Sequence, residues 1–146
     1  MKGSIIVGLD LASSSQVVFD AAVNLAADLR AKLVLVHAFS RHAIPGHLSP
    51  ATSRRLDEME AREDESDAVG LSTEWAAAAR ARGLDVRTDA REGRPANVLL
   101  EVAEEMDGAM VVVGAHGGRI RAVLLGSTAQ ELVRSSKRPV LVIPVS

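Results

Sequence analysis

Four short apolar runs recur along the chain: Ser4 to Leu9, Lys32 to Ala38, Ala109 to Val113 and Pro139 to Val145. Each has the length of a strand, and each is continuous rather than alternating. A strand that shows apolar side chains on both faces must be covered on both, as in a parallel sheet held between helices. A fifth, weaker segment, Leu84 to Ala90, contains Asp85-Val86-Arg87-Thr88-Asp89, which alternates. Alternation predicts a half-wet strand at the sheet edge.

Helical periodicity fills the gaps. Val18, Ala21, Ala22, Leu25 and Leu29 share one face, and the serines at 13 to 15 offer caps for its start. Pro95 at a first-turn position opens a second helix with Val98, Leu99, Val102 and Met106 on one side, and Asp107-Gly108 reads as its stop. Between them, Arg41 to Pro50 is a loop punctuated by Pro45, Gly46 and Pro50. The charged stretch Arg54 to Asp67 follows as a solvated helix anchored by Leu56 and Met59. Ala68, Leu71, Trp75 and Ala79 restore an apolar face further on, and Gly70 between the two halves predicts a break or bend. Strands alternating with helices, joined by right-handed crossovers, predict an α/β fold. It is an open five-stranded parallel sheet with helices on both faces, Rossmann-like, forming one domain over residues 1–146.

Composition removes several classes of function. The absence of cysteine excludes disulfides, thiolate metal sites and cysteine nucleophiles. With a formal charge of −2, nothing advertises a polyanion partner, and three aromatic residues, Phe19, Phe39 and Trp75, are too few for a base-stacking surface. No nucleic-acid partner is expected. The apolar run from Ile5 to Leu9 is too short for a signal-peptide core or a bilayer span, which predicts a cytoplasmic protein with no membrane partner.

In open parallel sheets, ligands bind beyond the carboxyl ends of the strands. The residues there are Asp10, His37-Ala38-Phe39, Glu92-Gly93-Arg94-Pro95 and Gly114-Ala115-His116-Gly117-Gly118. Gly114 and Gly117 permit positive φ and close approach of backbone N–H groups to an anion. Gly126-Ser127-Thr128 opens the last helix, whose N-terminus adds unpaired N–H groups and two hydroxyls. Alternatively, Gly126 is a turn before a Ser127 cap. Two glycine clusters around one helix entrance favour the anion. Arg119 and Arg121 are the cations placed to meet phosphates, or they solubilise the loop, while Lys137 complements the last helix dipole. His37, His42 and His47 match no metal spacing, and His116 either bonds a phosphate or lies on the surface. No nucleophile-elbow pattern or Walker-type lysine is present, so no catalytic residue is assigned.

Four blocks, in order, resemble the universal stress protein family over essentially the whole chain. They are Ile5-Ile6-Val7-Gly8-Leu9-Asp10, Ala31 to His37, Arg91-Glu92-Gly93-Arg94-Pro95, and Val111-Val112-Val113-Gly114-Ala115-His116-Gly117 running on to Gly126-Ser127 and Pro139 to Pro144. The resemblance implies a fold of the adenine-nucleotide alpha-hydrolase-like type and an ATP ligand, with magnesium as an optional companion. It implies that Asp10 and Val36 or His37 lie by the adenine and that Gly114 and Gly117 line the ribose and phosphates. Gly126, Ser127 and Thr128 would take the phosphate tail. It also implies a homodimer through the last strand, Val140, Leu141, Val142 and Ile143, which would remove an exposed sheet edge. One departure stands out. Eight residues, Gly118 to Leu125, separate Gly117 from Gly126, one fewer than in the family's nucleotide-binding pattern. A residue spans about 3.3 Å or more, enough to misplace a donor. Two expectations follow: a regulatory ATP-binding stress-response protein, with hydrolysis slow or absent, or a nucleotide-independent dimeric interaction protein of the same fold.

Overall fold

The computed structural model describes residues 3–9, 15–39, 73–115 and 125–145. All five expected strands form: β1 (Ser4–Gly8), β2 (Lys32–Phe39), β3 (Val86–Glu92), β4 (Gly108–Ala115) and β5 (Val140–Pro144). The described helices are α1 (Ser15–Leu29), α2 (73–81), α3 (Pro95–Glu105) and α4 (Ser127–Ser135). The sheet runs β3-β2-β1-β4-β5 with every neighbouring pair parallel. Strand order therefore reverses between β1 and β4.

The continuous apolar runs are explained by two cores, one on each face. Ile5, Val7, Leu33, Leu35 and Val112 meet Val18, Phe19, Ala22, Val23 and Ala26 of α1, together with Trp75 and Ala79 of α2. Ile6, Val34, Val36, Val111 and Val113 meet Val98, Leu99 and Val102 of α3 and Ala129 and Leu132 of α4. Phe19 stacks on Trp75 with ring centroids 5.0 Å apart, tying α1 to α2. β3 lies at one edge as its alternation predicts, burying Val86 and exposing Arg87 and Thr88. Arg91 there reaches Asp89 at 2.9 Å and Glu105 of α3 at 2.6 Å.

Three details differ from expectation. The fully buried stripe of α1 runs through Ser15, Val18, Phe19, Ala22, Val23 and Ala26, whereas Ala21, Leu25 and Leu29 sit at its margin. Phe19 turns the helix toward Trp75, which sequence periodicity cannot register. At the end of α3, Asp107 adopts the left-handed φ of 50°, and Gly108 is already strand. Gly108 serves packing instead: a Cβ there would lie 2.8 Å from Ile6 Cγ1. Finally, Ser127 is the first helical residue of α4, and Gly126 occupies the cap. The loop Arg41 to Pro50, the charged stretch Arg54 to Asp67 and Gly70 lie outside the described residues.

Candidate functional site

A cavity of about 120 Å³ opens where strand order reverses. Its walls come from the ends of β1 (Gly8 and Leu9), β2 (Val36 to Ala38) and β4 (Val113 to Ala115), and from the first turns of α1, α3 and α4. Two missing side chains shape it. A Cβ on Gly8 would stand 2.8 Å from Leu99 Cδ1, and one on Gly114 would stand 2.9 Å from Val18 Cγ2. Since these contacts lie on opposite faces of the sheet, α3 and α1 both close onto the strand ends here.

The wall between β1 and β2 is held by a two-bond clamp on Leu9. Its N–H donates to the Val36 carbonyl at 2.9 Å, and its own carbonyl lies 3.1 Å from His37 Nδ1. A carbonyl oxygen only accepts, so Nδ1 carries the proton. His37 is buried and stacked beside Phe39, with centroids 6.5 Å apart. Val36 is buried in the core shared with α3 and α4.

The opposite side is the entrance of α4. Gly126 caps the helix at φ 81°, ψ 153° with no side-chain cap bond, a conformation open essentially to glycine alone. The first intrahelical bond runs from Gln130 N–H to the Gly126 carbonyl at 3.0 Å. The N–H groups of the preceding turn therefore lack intrahelical acceptors, and the dipole there favours an anion. Thr128 lines the cavity, whereas Ser127 borders a neighbouring polar groove with Gln130, Arg134 and the Arg94–Glu131 ion pair of 2.7 Å.

Of the residues singled out from sequence, Val36, His37, Gly114 and Thr128 meet at this cavity. Ser127 borders the neighbouring groove and Gly126 sets the entrance of α4. Asp10, His116 and Gly117 lie outside the described residues, as do Arg119, Arg121, His42 and His47. Gly114 lies in regular strand rather than at positive φ, and its missing Cβ serves helix packing. Sequence reasoning missed Gly8, Ser15, Val18, Leu99 and Val145. The place of Gly8 and Leu99 was signalled weakly, by a glycine closing a buried strand and an apolar residue one turn past Pro95. Among the described lining residues none is charged, and no cluster of three metal-ligating side chains occurs among the described residues. No described helix is long and apolar enough to cross a membrane.

The chain and its fold have known relatives. Universal stress protein YxiE of Bacillus subtilis is 26% identical over 98% of this chain and 99% of its own. A universal stress protein solved in complex with cAMP is 28% identical, covers 99% of this chain and 98% of its own, and superposes with a TM-score of 0.72. The universal stress protein UspA from Lactobacillus plantarum, 20% identical over 97% of both chains, shares the fold with a TM-score of 0.81. The model of the universal stress protein family matches residues 1–144. With that match across nearly its whole length, the chain belongs to the universal stress protein family.

Proposed function

We propose that this protein binds an adenine nucleotide, with ATP as the ligand, in the cavity between β1, β2 and β4, and that binding serves regulation of a stress response in the cytoplasm rather than metabolic turnover. The observation that carries the proposal is the continuity from an apolar cavity at the switch point to the bare N-terminus of α4. At about 120 Å³ the cavity is smaller than the roughly 300–1,000 Å³ of pockets that enclose whole ligands. It suits a base, with sugar and phosphates running outward toward α4. In this proposal the base lies by Asp10, Val36 and His37. The ribose and phosphates follow Gly114, His116 and Gly117, and the tail ends at Gly126, Ser127 and Thr128. A relative of 28% identity was solved with cAMP, which supports the ligand class. Bound magnesium would neutralise phosphate charge; no described lining residue is a carboxylate, so none is assigned to it.

The proposal extends to one domain over 1–146 and to a homodimer through Val140, Leu141, Val142 and Ile143. β5 is the second sheet edge, and Leu141 on it is exposed. A second reading, an interaction protein of the same fold without nucleotide, is favoured by one observation: the eight-residue spacing from Gly117 to Gly126.

Calorimetric titration of nucleotide-stripped protein with ATP, AMP and cAMP separates the two. Saturable ATP binding, lost when Ala38→Phe fills the cavity, supports the nucleotide function. No binding at millimolar ATP overturns the nucleotide function. Sedimentation at micromolar concentration gives a dimer if β5 pairs with its copy, and only monomer if it does not.

A further inference from the structure

The nucleotide reading supplies the phosphate tail with N–H groups and hydroxyls, but none of the described residues lining the cavity is charged. Cations stand instead in the polar groove beside it, and the two spaces adjoin along two stretches of chain. At the start of α3, Pro95 lines the cavity and Arg94 the groove; at the start of α4, Thr128 lines the cavity and Ser127 the groove. A tail that leaves the cavity past these two helix starts enters the groove.

Ser127, Gln130, Glu131 and Arg134 border the groove at helical spacing and share one face of α4. Arg94 reaches across from α3, its Nη2 donating to Glu131 Oε2 at 2.7 Å. Glu131 stands four residues after Ser127, about 6 Å along the helix, and so holds the guanidinium one turn from the entrance of α4. This bond takes one of the five N–H donors of a guanidinium, and the Arg94 side chain has no other partner among the described residues. Arg134 has no ion pair among the described residues. Two guanidiniums against one carboxylate leave the groove with a surplus of positive charge.

Resting on the nucleotide reading above, we propose that Arg94 distinguishes a nucleoside triphosphate from a monophosphate. Held by Glu131, it donates its remaining N–H groups to the terminal phosphate seated at Ser127. The single phosphate of a monophosphate stops along Gly114 to Gly117 in the proposed path and does not meet it. Glu131 is a positioning residue: it orients the fork, and it also sets its own negative charge near the phosphate.

Calorimetry on stripped protein compares ATP with AMP in the wild type and two variants. The Arg94 side chain is 71% exposed and belongs to neither core, so both cores stay intact when it is replaced. Arg94→Gln should weaken ATP binding about tenfold, the order of one charge-assisted hydrogen bond, and leave AMP binding unchanged. Glu131→Gln keeps an acceptor for the fork but removes the repelling charge, so ATP should bind a few-fold tighter with AMP again unchanged. Added salt should shrink the preference for ATP over AMP more in the wild type than in Arg94→Gln. Phosphorus-31 spectra of bound ATP should differ between wild type and Arg94→Gln at the γ-phosphate and not at the α-phosphate. If Arg94→Gln weakens ATP and AMP equally, or leaves ATP affinity as it was, the role of Arg94 is overturned while nucleotide binding stands. A wild type that binds neither nucleotide overturns both.

Discussion

Alanine at position 114 is the sharpest test of why glycine stands at the end of β4. Its φ is not in the left-handed region, so the backbone itself accepts alanine. The obstacle is space: the new Cβ would lie 2.9 Å from Val18 Cγ2 and 3.2 Å from Val145 Cγ2. Val145 follows the last strand, is half-buried and can give way. Val18 is buried in α1, and a β-branched side chain in a helix has one strongly preferred rotamer, so relief requires α1 to move off the sheet. Overpacking of this kind costs about 1–3 kcal/mol. Replacing glycine also restricts the unfolded chain, which offsets about 0.4–1 kcal/mol. Gly114→Ala should therefore lose about 1–2 kcal/mol in urea unfolding with an unchanged slope. In a Val18→Ala background the clash partner is gone, so the same substitution should cost roughly 1 kcal/mol less, a coupling measured by the double-mutant cycle. If Gly114→Ala matches or exceeds wild-type stability, or if Val18→Ala brings no relief, helix packing is not the reason for this glycine.

Three further outcomes are expected. Gly126→Ala, forced to φ 81° and ψ 153°, should lose about 1–3 kcal/mol and weaken ATP binding with it, as thermal unfolding with and without nucleotide would report. Arg30 closes α1 at φ 53°, with Ala31 N–H bonded to the Ala26 carbonyl, so Arg30→Gly should raise stability by about 0.5–1 kcal/mol in the same assay. The Arg91 guanidinium bonded to Glu105 holds that carboxyl below its ordinary range. Its contribution is present above the unfolded carboxyl pKa of about 4.3 and disappears as pH falls through the lowered folded value. Arg91→Met should thus reduce stability at neutral pH and lessen the drop between neutral and acid, seen in urea midpoints across pH.

The parts of the fold legible in sequence are those that depend on covering both faces of a strand. Unbroken runs such as Ile5-Ile6-Val7 and Leu33-Val34-Leu35-Val36 state that requirement directly, and the charged alternation around Arg87 marks β3 as an edge. The face of α1 was harder to see because it depends on a distant residue, Trp75, that draws Phe19 inward. Gly108 and Gly114 show the same limit. Sequence marks a glycine but not whether it supplies a turn or a missing side chain, and here the contacts with Ile6 and Val18 decide for the latter. The cavity was located by the rule of strand ends, yet its walls include Leu99 and Val18, which become neighbours only when helices from opposite faces converge.

That convergence ties the shape of the cavity to ordinary packing. Gly8 admits Leu99 on one face and Gly114 admits Val18 on the other, so the strand ends are gripped from both sides. Leu9, next to Gly8, is fixed by its two bonds to Val36 and His37. If α1 or α3 shifted, the ends of β1 and β2 would no longer hold one geometry, and the His37 ring would lose the carbonyl that sets its tautomer. A substitution such as Gly114→Ala therefore acts on the cavity wall from a distance, by loosening the packing that keeps Leu9 in place. Lower stability and weaker ATP binding should then appear together in Gly114→Ala, read by urea unfolding and calorimetry on the same protein, whereas Ala38→Phe, which fills the cavity, should lose binding without the same loss of stability.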